Sequence, residues 1–300
     1  MSDTTAGLRR KIESAGELQS VVRTMKVLAS SSIGQYEASV RALADYYRTV
    51  ELGLAACFQK GDPSVRPGQG VGRTKARATG AVVFGSDQGL VGQFNDVVAD
   101  DAIHTLAALP RTAGIWAVGA RVHARLADAG LPLLQLFPVP GSIGAITPLV
   151  GQILVDAEVR HGQDEMTELH LFYNRPTFGS GYAPVTQKLL PLDEEWRRRL
   201  VELKWPTGNL PEVIGGAPTT LSAFVREHLF ISLFRACAES LASENASRLA
   251  AMQRADKNID ELLENLHGAF HRLRQSGIDE ELFDVISGFE ALSGPKSARP

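Results

Sequence analysis

Residues 5–58 read TAGLRRKIESAGELQSVVRTMKVLASSSIGQYEASVRALADYYRTVELGLAACF, a stretch without proline in which apolar and small side chains return in steps of three and four. The series is Leu8, Ile12, Ala15, Leu18, Val22, Met25, Ala29, Ser32, Tyr36, Val40, Leu43, Tyr47, Val50, Leu54 and Cys57. Because an α-helix turns every 3.6 residues, this spacing predicts one apolar stripe kept up for about seven heptads. As a single helix the stretch would run about 80 Å, far longer than a small domain is wide. A lone helix cannot bury such a stripe, so it needs a partner.

The far end of the chain supplies one. Residues 219–294 also lack proline, and their stripe runs through Leu221, Val225, Leu229, Leu233, Ala236, Leu241, Leu249, Met252, Ile259, Leu262, Leu266, Phe270 and Leu273. The two ends are expected to wrap on one another as an antiparallel pair; two separate helices packed on the middle of the chain are the plainer alternative. If both helices start level, with Phe58 beside Leu221, then Leu8 falls opposite about residue 271 and residues 275–292 run on alone. The same arithmetic parts Cys57 from Cys237 by roughly 24 Å, beyond the ~7 Å reach of a disulfide, so two free thiols are expected.

Between the ends, composition changes. Of the 15 prolines, 13 lie from Pro63 to Pro218, and 19 of the 28 glycines lie in the same interval, so this part is cut by turns where the ends are not. Short apolar runs alternate there with helical segments. Strands are expected at 78–84, 114–119, 133–137, 168–173 and 185–190, and helices at 95–109, 121–129 and 146–160, giving an α/β domain with a mainly parallel sheet. The organisation read from this is an N-terminal coiled-coil helix (1–60), a linker (61–75), a central Rossmann-like α/β domain (76–210), a C-terminal coiled-coil helix (218–293) and a tail (294–300). The fold class is α/β plus coiled coil.

Composition narrows function. With 44% hydrophobic and 22% charged residues and a mean hydropathy of −0.05, the chain of 300 residues has the make-up of a soluble folded protein. No apolar run approaches the roughly 20 residues of a membrane-spanning helix. A net charge of −3 gives no basic excess for phosphate backbones, so no nucleic-acid partner is expected. The N-terminus lacks the apolar core of a signal peptide, and two cysteines are too few for a disulfide scaffold, which suits a reducing cytoplasm.

Chemical motifs are sparse. A parallel sheet invites a nucleotide at its carboxyl edge, and the candidate turn is GSDQGLVGQFN, residues 85–95. It has no Gly-Lys-Ser/Thr to meet phosphate and magnesium, and Gly85, Gly89 and Gly92 do not follow the dinucleotide spacing, so a structural turn is expected. His267 and His271 share a helix face, but Gly268 stands where a metalloprotease has glutamate, and no third ligand is evident. The adjacent acids Asp100–Asp101, Glu194–Glu195 and Glu280–Glu281 point to different faces and read as solvated surface. No catalytic, cofactor-binding or metal-binding residue is expected, and no cofactor.

Three blocks in order carry a resemblance. The run LRRKIESAGELQSVVRTMKVLAS (8–30), the turn SDQGLVGQFN (86–95), and FISLFRACAESLASENASRLAAMQRADKNIDELLENL (230–266) with RQSGIDEELFDVISGFEAL (274–292) are similar to the gamma subunit of rotary F-type ATP synthases; LLPL (189–192) agrees more loosely. The resemblance implies an asymmetric antiparallel shaft turning inside a ring of alternating alpha and beta subunits, its globular foot resting on the c-ring with the epsilon subunit. It implies a rotor that couples ion translocation to ATP synthesis or hydrolysis and leaves catalysis to the ring. It places the chain at the cytoplasmic face of the bacterial membrane, held there only through the complex. By the same resemblance, Met25, Lys26, Arg248, Arg274 and Gln275 contact the stator. Ala29, Ser30, Ser31, Ser32 and Gly34 would form a thin waist where long side chains would jam. Lys26 stands where an acidic residue is common, Ser32 where a basic one is, and Gln88 and Val91 alter the central turn; these departures point to the alternative F-type complexes that some bacteria carry. Competing readings are a small-molecule or nucleotide-binding α/β enzyme with a coiled-coil dimerisation arm, and a scaffold that tethers partners.

Overall fold

The computed structural model describes residues 4–60, 78–163, 165–177, 181–192, 194–209, 212 and 217–293. The linker expected at 61–75 and the tail at 294–300 lie outside the described residues. In chain order the elements are α1 (Thr5–Lys60), β1 (Thr79–Phe84), α2 (Phe94–Ala107), β2 (Thr112–Val118), α3 (Ala120–Asp128), β3 (Leu133–Phe137), α4 (Ile143–Gly162), β4 (Glu168–Pro176), β5 (Tyr182–Leu190), α5 (Glu194–Val201) and α6 (Ala217–Ser293). Every expected strand and helix is present. The chain divides into two compact units, Met1–Val27 with Met252–Pro300, and Leu28–Ala251.

In the larger unit the sheet order is β3-β2-β1-β4-β5, parallel except for β5, which runs antiparallel to β4. Alternation along β1 divides the core: Val82 and Phe84 face one side, packed with α4 and α6, while Ala81 and Val83 face α2 and α3. On the first side α6 passes through the core itself. From Ile231 to Glu244 only Arg235 is exposed, so this part of the helix is buried all round rather than along one stripe. Its small residues Ala236, Cys237, Ala238, Ser240, Ala242 and Ser243 allow that close approach. Cys57 and Cys237 are both buried free thiols. The short α5 was absent from the sequence reading; its Trp196 and Leu200, four residues apart, pack with Val50, Leu54 and Leu221.

The smaller unit pairs the two chain ends antiparallel. Arg23 meets Asp256 and Gln19 meets Asp260, the register that follows from placing Phe58 beside Leu221. The seam itself needs one correction. One row of α1 falls at strict heptads, with Leu8, Ala15 and Val22 buried here and Ala29, Tyr36, Val50 and Cys57 buried in the larger unit. The second row is Ile12, Gln19 and Lys26 rather than Leu18, with Met25 half-buried at its side. Gln19 is buried whereas Leu18 is 55% exposed. On α6, likewise, Ile259 is buried and Leu263 half-buried, while Leu262 is 49% exposed. Both phases have steps of three and four, and the structure takes the one in which polar residues find partners.

Candidate functional site

The glycine-rich turn between β1 and α2 is fastened from three directions. Ser86 donates its backbone N–H to Asn95 Oδ1 at 2.9 Å, and Asn95 Nδ2 donates back to Ser86 Oγ at 2.8 Å. Ser247 Oγ on α6 donates to the Val91 carbonyl at 2.5 Å. Asp87 does the most: Oδ1 accepts the Ala120 N–H at 2.9 Å and Oδ2 the Val139 N–H at 2.8 Å. Its carboxylate therefore occupies the N-terminus of α3, where an anionic ligand of such a sheet would find backbone donors and the positive end of the helix. Gly119, just before α3, has φ 113°, and a Cβ there would lie 2.7 Å from the Ser86 nitrogen. The turn is built inward as a clasp. Leu90 at its tip is the exception, 62% exposed and at φ 63°.

Several of the carboxylates noted in the sequence serve locally. Asp100 accepts from Arg125 and Asp101 from Thr186, while Glu194 pairs with Arg197. His267 and His271 are exposed on α6, and among the described residues no three His, Cys, Asp or Glu side chains are placed to hold a metal.

The residues expected to meet a stator separate into two kinds. Arg274 and Gln275 are exposed on α6, and Met25 is half-buried on α1. Lys26 and Arg248 are instead engaged within the chain. Lys26 Nζ lies 2.7 Å from Asp256 Oδ2, and this hydrogen bond, with Arg23 beside it, holds the Asp256 carboxyl below the usual range. Arg248, its side chain 13% exposed, donates to Glu244 at 2.6 Å. Burial pushes the Glu244 carboxyl up, and Arg248 opposes that shift. Of the small-residue set, Ala29 is buried, Ser32 half-buried with Oγ bonded to the Leu28 carbonyl, and Ser30, Ser31 and Gly34 are exposed.

Two features went unread in the sequence. Buried Glu239 is held between Arg175 at 2.8 Å and Arg235 at 2.7 Å; Arg235 is the i−4 neighbour that could have signalled it. Beyond the level of Leu8, α6 exposes Ile278, Leu282, Phe283, Val285, Ile286 and Phe289, each at least 44% accessible. Isolated exposed leucines are ordinary, but six apolar residues within twelve positions of one helix mark a surface made to be covered.

A family model described as ATP synthase matches residues 4–292. The chain belongs to the ATP synthase gamma family. It is similar to the ATP synthase gamma chain of Salinibacter ruber, at 29% identity over 95% of this chain and 97% of that one, and to that of Nitrosomonas eutropha, at 24% over 95% and 98%. Among solved structures, a chain of the Euglena gracilis mitochondrial ATP synthase, OSCP/F1/c-ring, rotational state 3, superposes with a TM-score of 0.62 at 17% identity over 99% of this chain and 98% of that one. A chain of the rotor of the same enzyme in state 1 gives 0.59 at 18% identity over 91% and 98%. The gamma-chain fold, with its terminal helices and central sheet, is thus that of this chain.

Proposed function

We propose that this gamma chain is the central-stalk rotor subunit of a bacterial F-type ATP synthase, carrying torque between the c-ring and the catalytic ring and coupling ion translocation to ATP synthesis or hydrolysis. The observation that carries the reading is the unit built from the two chain ends, in which two helices pair in one register and the longer continues as a bare apolar stretch. In this reading the ends turn inside the ring of alpha and beta subunits, the exposed stretch from Ile278 to Phe289 being covered by that ring. The sheet domain meets the c-ring and epsilon, and the division into end helices, linker and central domain is functional. Nothing in the chain needs to catalyse: a pair of unequal helices presents a different face to each of three sites, and its angle biases their affinities. Met25, Lys26, Arg248, Arg274 and Gln275 make the stator contacts, Lys26 and Arg248 while paired within the chain, and the small residues Ala29, Ser30, Ser31, Ser32 and Gly34 pass the ring closely. The complex is peripheral on the cytoplasmic face of the membrane.

Copurification tests this. One copy of the chain should be recovered with three alpha–beta pairs, ATPase activity should fall when residues 274–292 are removed, and a cross-link from this chain to a beta subunit should stop turnover. Activity that survives the cross-link would overturn the reading.

A further inference from the structure

The seam between the two chain ends is polar where the heptad pattern calls for apolar residues. Its second row on α1 reads Ile12, Gln19, Lys26, and the facing row on α6 reads Met252, Asp256, Ile259, Leu263. Gln19 Nε2 donates to Asp260 Oδ1 and, at 3.4 Å, to Asp256 Oδ1. Arg23 Nε lies 3.1 Å from Asp256 Oδ1 and its Nη2 3.6 Å from Asp260 Oδ1, while Lys26 Nζ lies 2.7 Å from Asp256 Oδ2. Two cations, two carboxylates and one amide close a neutral set in which both oxygens of Asp256 are used. The Asp256 side chain is only 13% exposed, against 56% for Arg23 and 60% for Asp260, so the aspartate at the seam is the hub.

We infer that this cluster is a register lock, holding the two ends of the chain at one axial alignment. An apolar heptad seam looks alike after a slip of seven residues, because each leucine-sized side chain finds another hole. This seam does not. A slip of one heptad that moves Lys26 toward the N-terminus of α6 takes its ammonium away from both aspartates and leaves Asp256 facing Gln19 in its place, so a half-dry ion pair is broken, which costs far more than the native pair contributes. The lock works by penalising that slip, and its components lower the stability of the pair relative to an all-apolar seam. A helix pair that transmits a push along or around its axis needs that single alignment more than it needs stability. The inference concerns the isolated chain and does not rest on the rotor reading.

Cysteine pairs in the full-length chain test it. The pairing of Arg23 with Asp256 sets Leu8 level with residue 271, so cysteines at Leu8 and Phe270 report the native register, and cysteines at Leu8 and Leu263 report that slip of one heptad. With the cluster intact, only the first pair should cross-link. In the combined variant Gln19→Leu, Lys26→Met, Asp256→Leu, the melting temperature should hold or rise while the second pair gains a yield comparable to the first. Asp256→Asn, nearly isosteric, is the second arm and should give the slipped product in smaller yield with the fold retained. Exclusive cross-linking of the first pair in both arms would overturn the lock, as would a loss of melting temperature in the combined variant without any slipped product.

Discussion

Replacing Asp87 by alanine removes an acceptor from two backbone donors at once, and the structure sets the size of the effect. The two donors are not equivalent. The Ala120 N–H lies at an exposed helix start, where water can replace the carboxylate, so its loss should resemble an ordinary cap deletion of about 1 kcal/mol. The Val139 N–H is partly buried, and an unsatisfied donor there costs about 1–2 kcal/mol. Together Asp87→Ala should destabilise the larger unit by about 2–3 kcal/mol, or roughly 5–10 °C in melting temperature for a unit of this size. Asp87→Asn keeps one acceptor oxygen and should fall about midway. Circular dichroism melts give the total. Amide hydrogen exchange gives the location, since protection should fall at Ala120 and Val139 before it falls along β4. A shift under about 1 °C, against the 2–4 °C that each kcal/mol should bring, with unchanged exchange at those two amides, would refute the clasp.

Gly119→Ala should cost a further few kcal/mol, because φ 113° strains any L side chain and the new Cβ would sit 2.7–2.8 Å from the Ser86 backbone; near-native urea unfolding would contradict this. His228, its ring tilted against that of Trp196 with centroids 4.6 Å apart, has its pKa lowered by burial from 6.5 to about 4. Its neutral form is thus favoured by folding: this contribution is complete above about pH 6.5, falls as the pH drops towards 4, and amounts to about 3 kcal/mol. His228→Phe should flatten the acid limb of a stability–pH curve by about one proton, with His170, also lowered by burial, supplying part of what remains. Cys57 and Cys237, whose thiols burial pushes up, should react with a maleimide only as the chain unfolds; rapid labelling of the native protein would show that the packing around α6 is wrong.

Much of the fold could be read from residue spacing because spacing is what burial selects. Proline marks where long helices cannot be, and it separated the chain ends from the sheet domain. Apolar runs of five to seven residues found all five strands, though β4 and β5 extend further into polar residues such as Asn174 and Tyr182 that a hydrophobic pattern does not report. Helix α5 escaped because only Trp196 and Leu200 of its eight residues carry the pattern, the rest being charged apart from the terminal Val201. The clasp was half legible: the missing lysine argued against a phosphate loop, but nothing in GSDQGLVGQFN says that Asp87 itself takes the helix terminus, since Ala120 and Val139 are brought to it only by the sheet.

The misread seam has a different cause. Choosing Leu18 and Met25 over Gln19 and Lys26 assumes that the buried phase is the more apolar one, and on a single helix no other criterion exists. The preference belongs to the pair. Asp256 turns Lys26 from a charge to be kept in water into a partner, and Asp260 does the same for Gln19, so the polar phase becomes acceptable only when both sequences are read against each other in register. Spacing alone was sufficient for the register: beginning the helices level at Phe58 and Leu221 places Arg23 opposite Asp256 without reference to charge. Had the charges along that alignment been searched for opposite pairs, the cluster would have been found, and with it the reason that Leu18 stands outside. Its exposure is then a consequence of the lock, and it leaves on α1 an apolar flank of Leu18 and Val21, each more than half accessible, beside a neutralised ionic core. A surface that meets that flank meets hydrocarbon at Leu18 and Val21 and, beside it, the Arg23 guanidinium, which stays 56% exposed although Asp256 pairs with it.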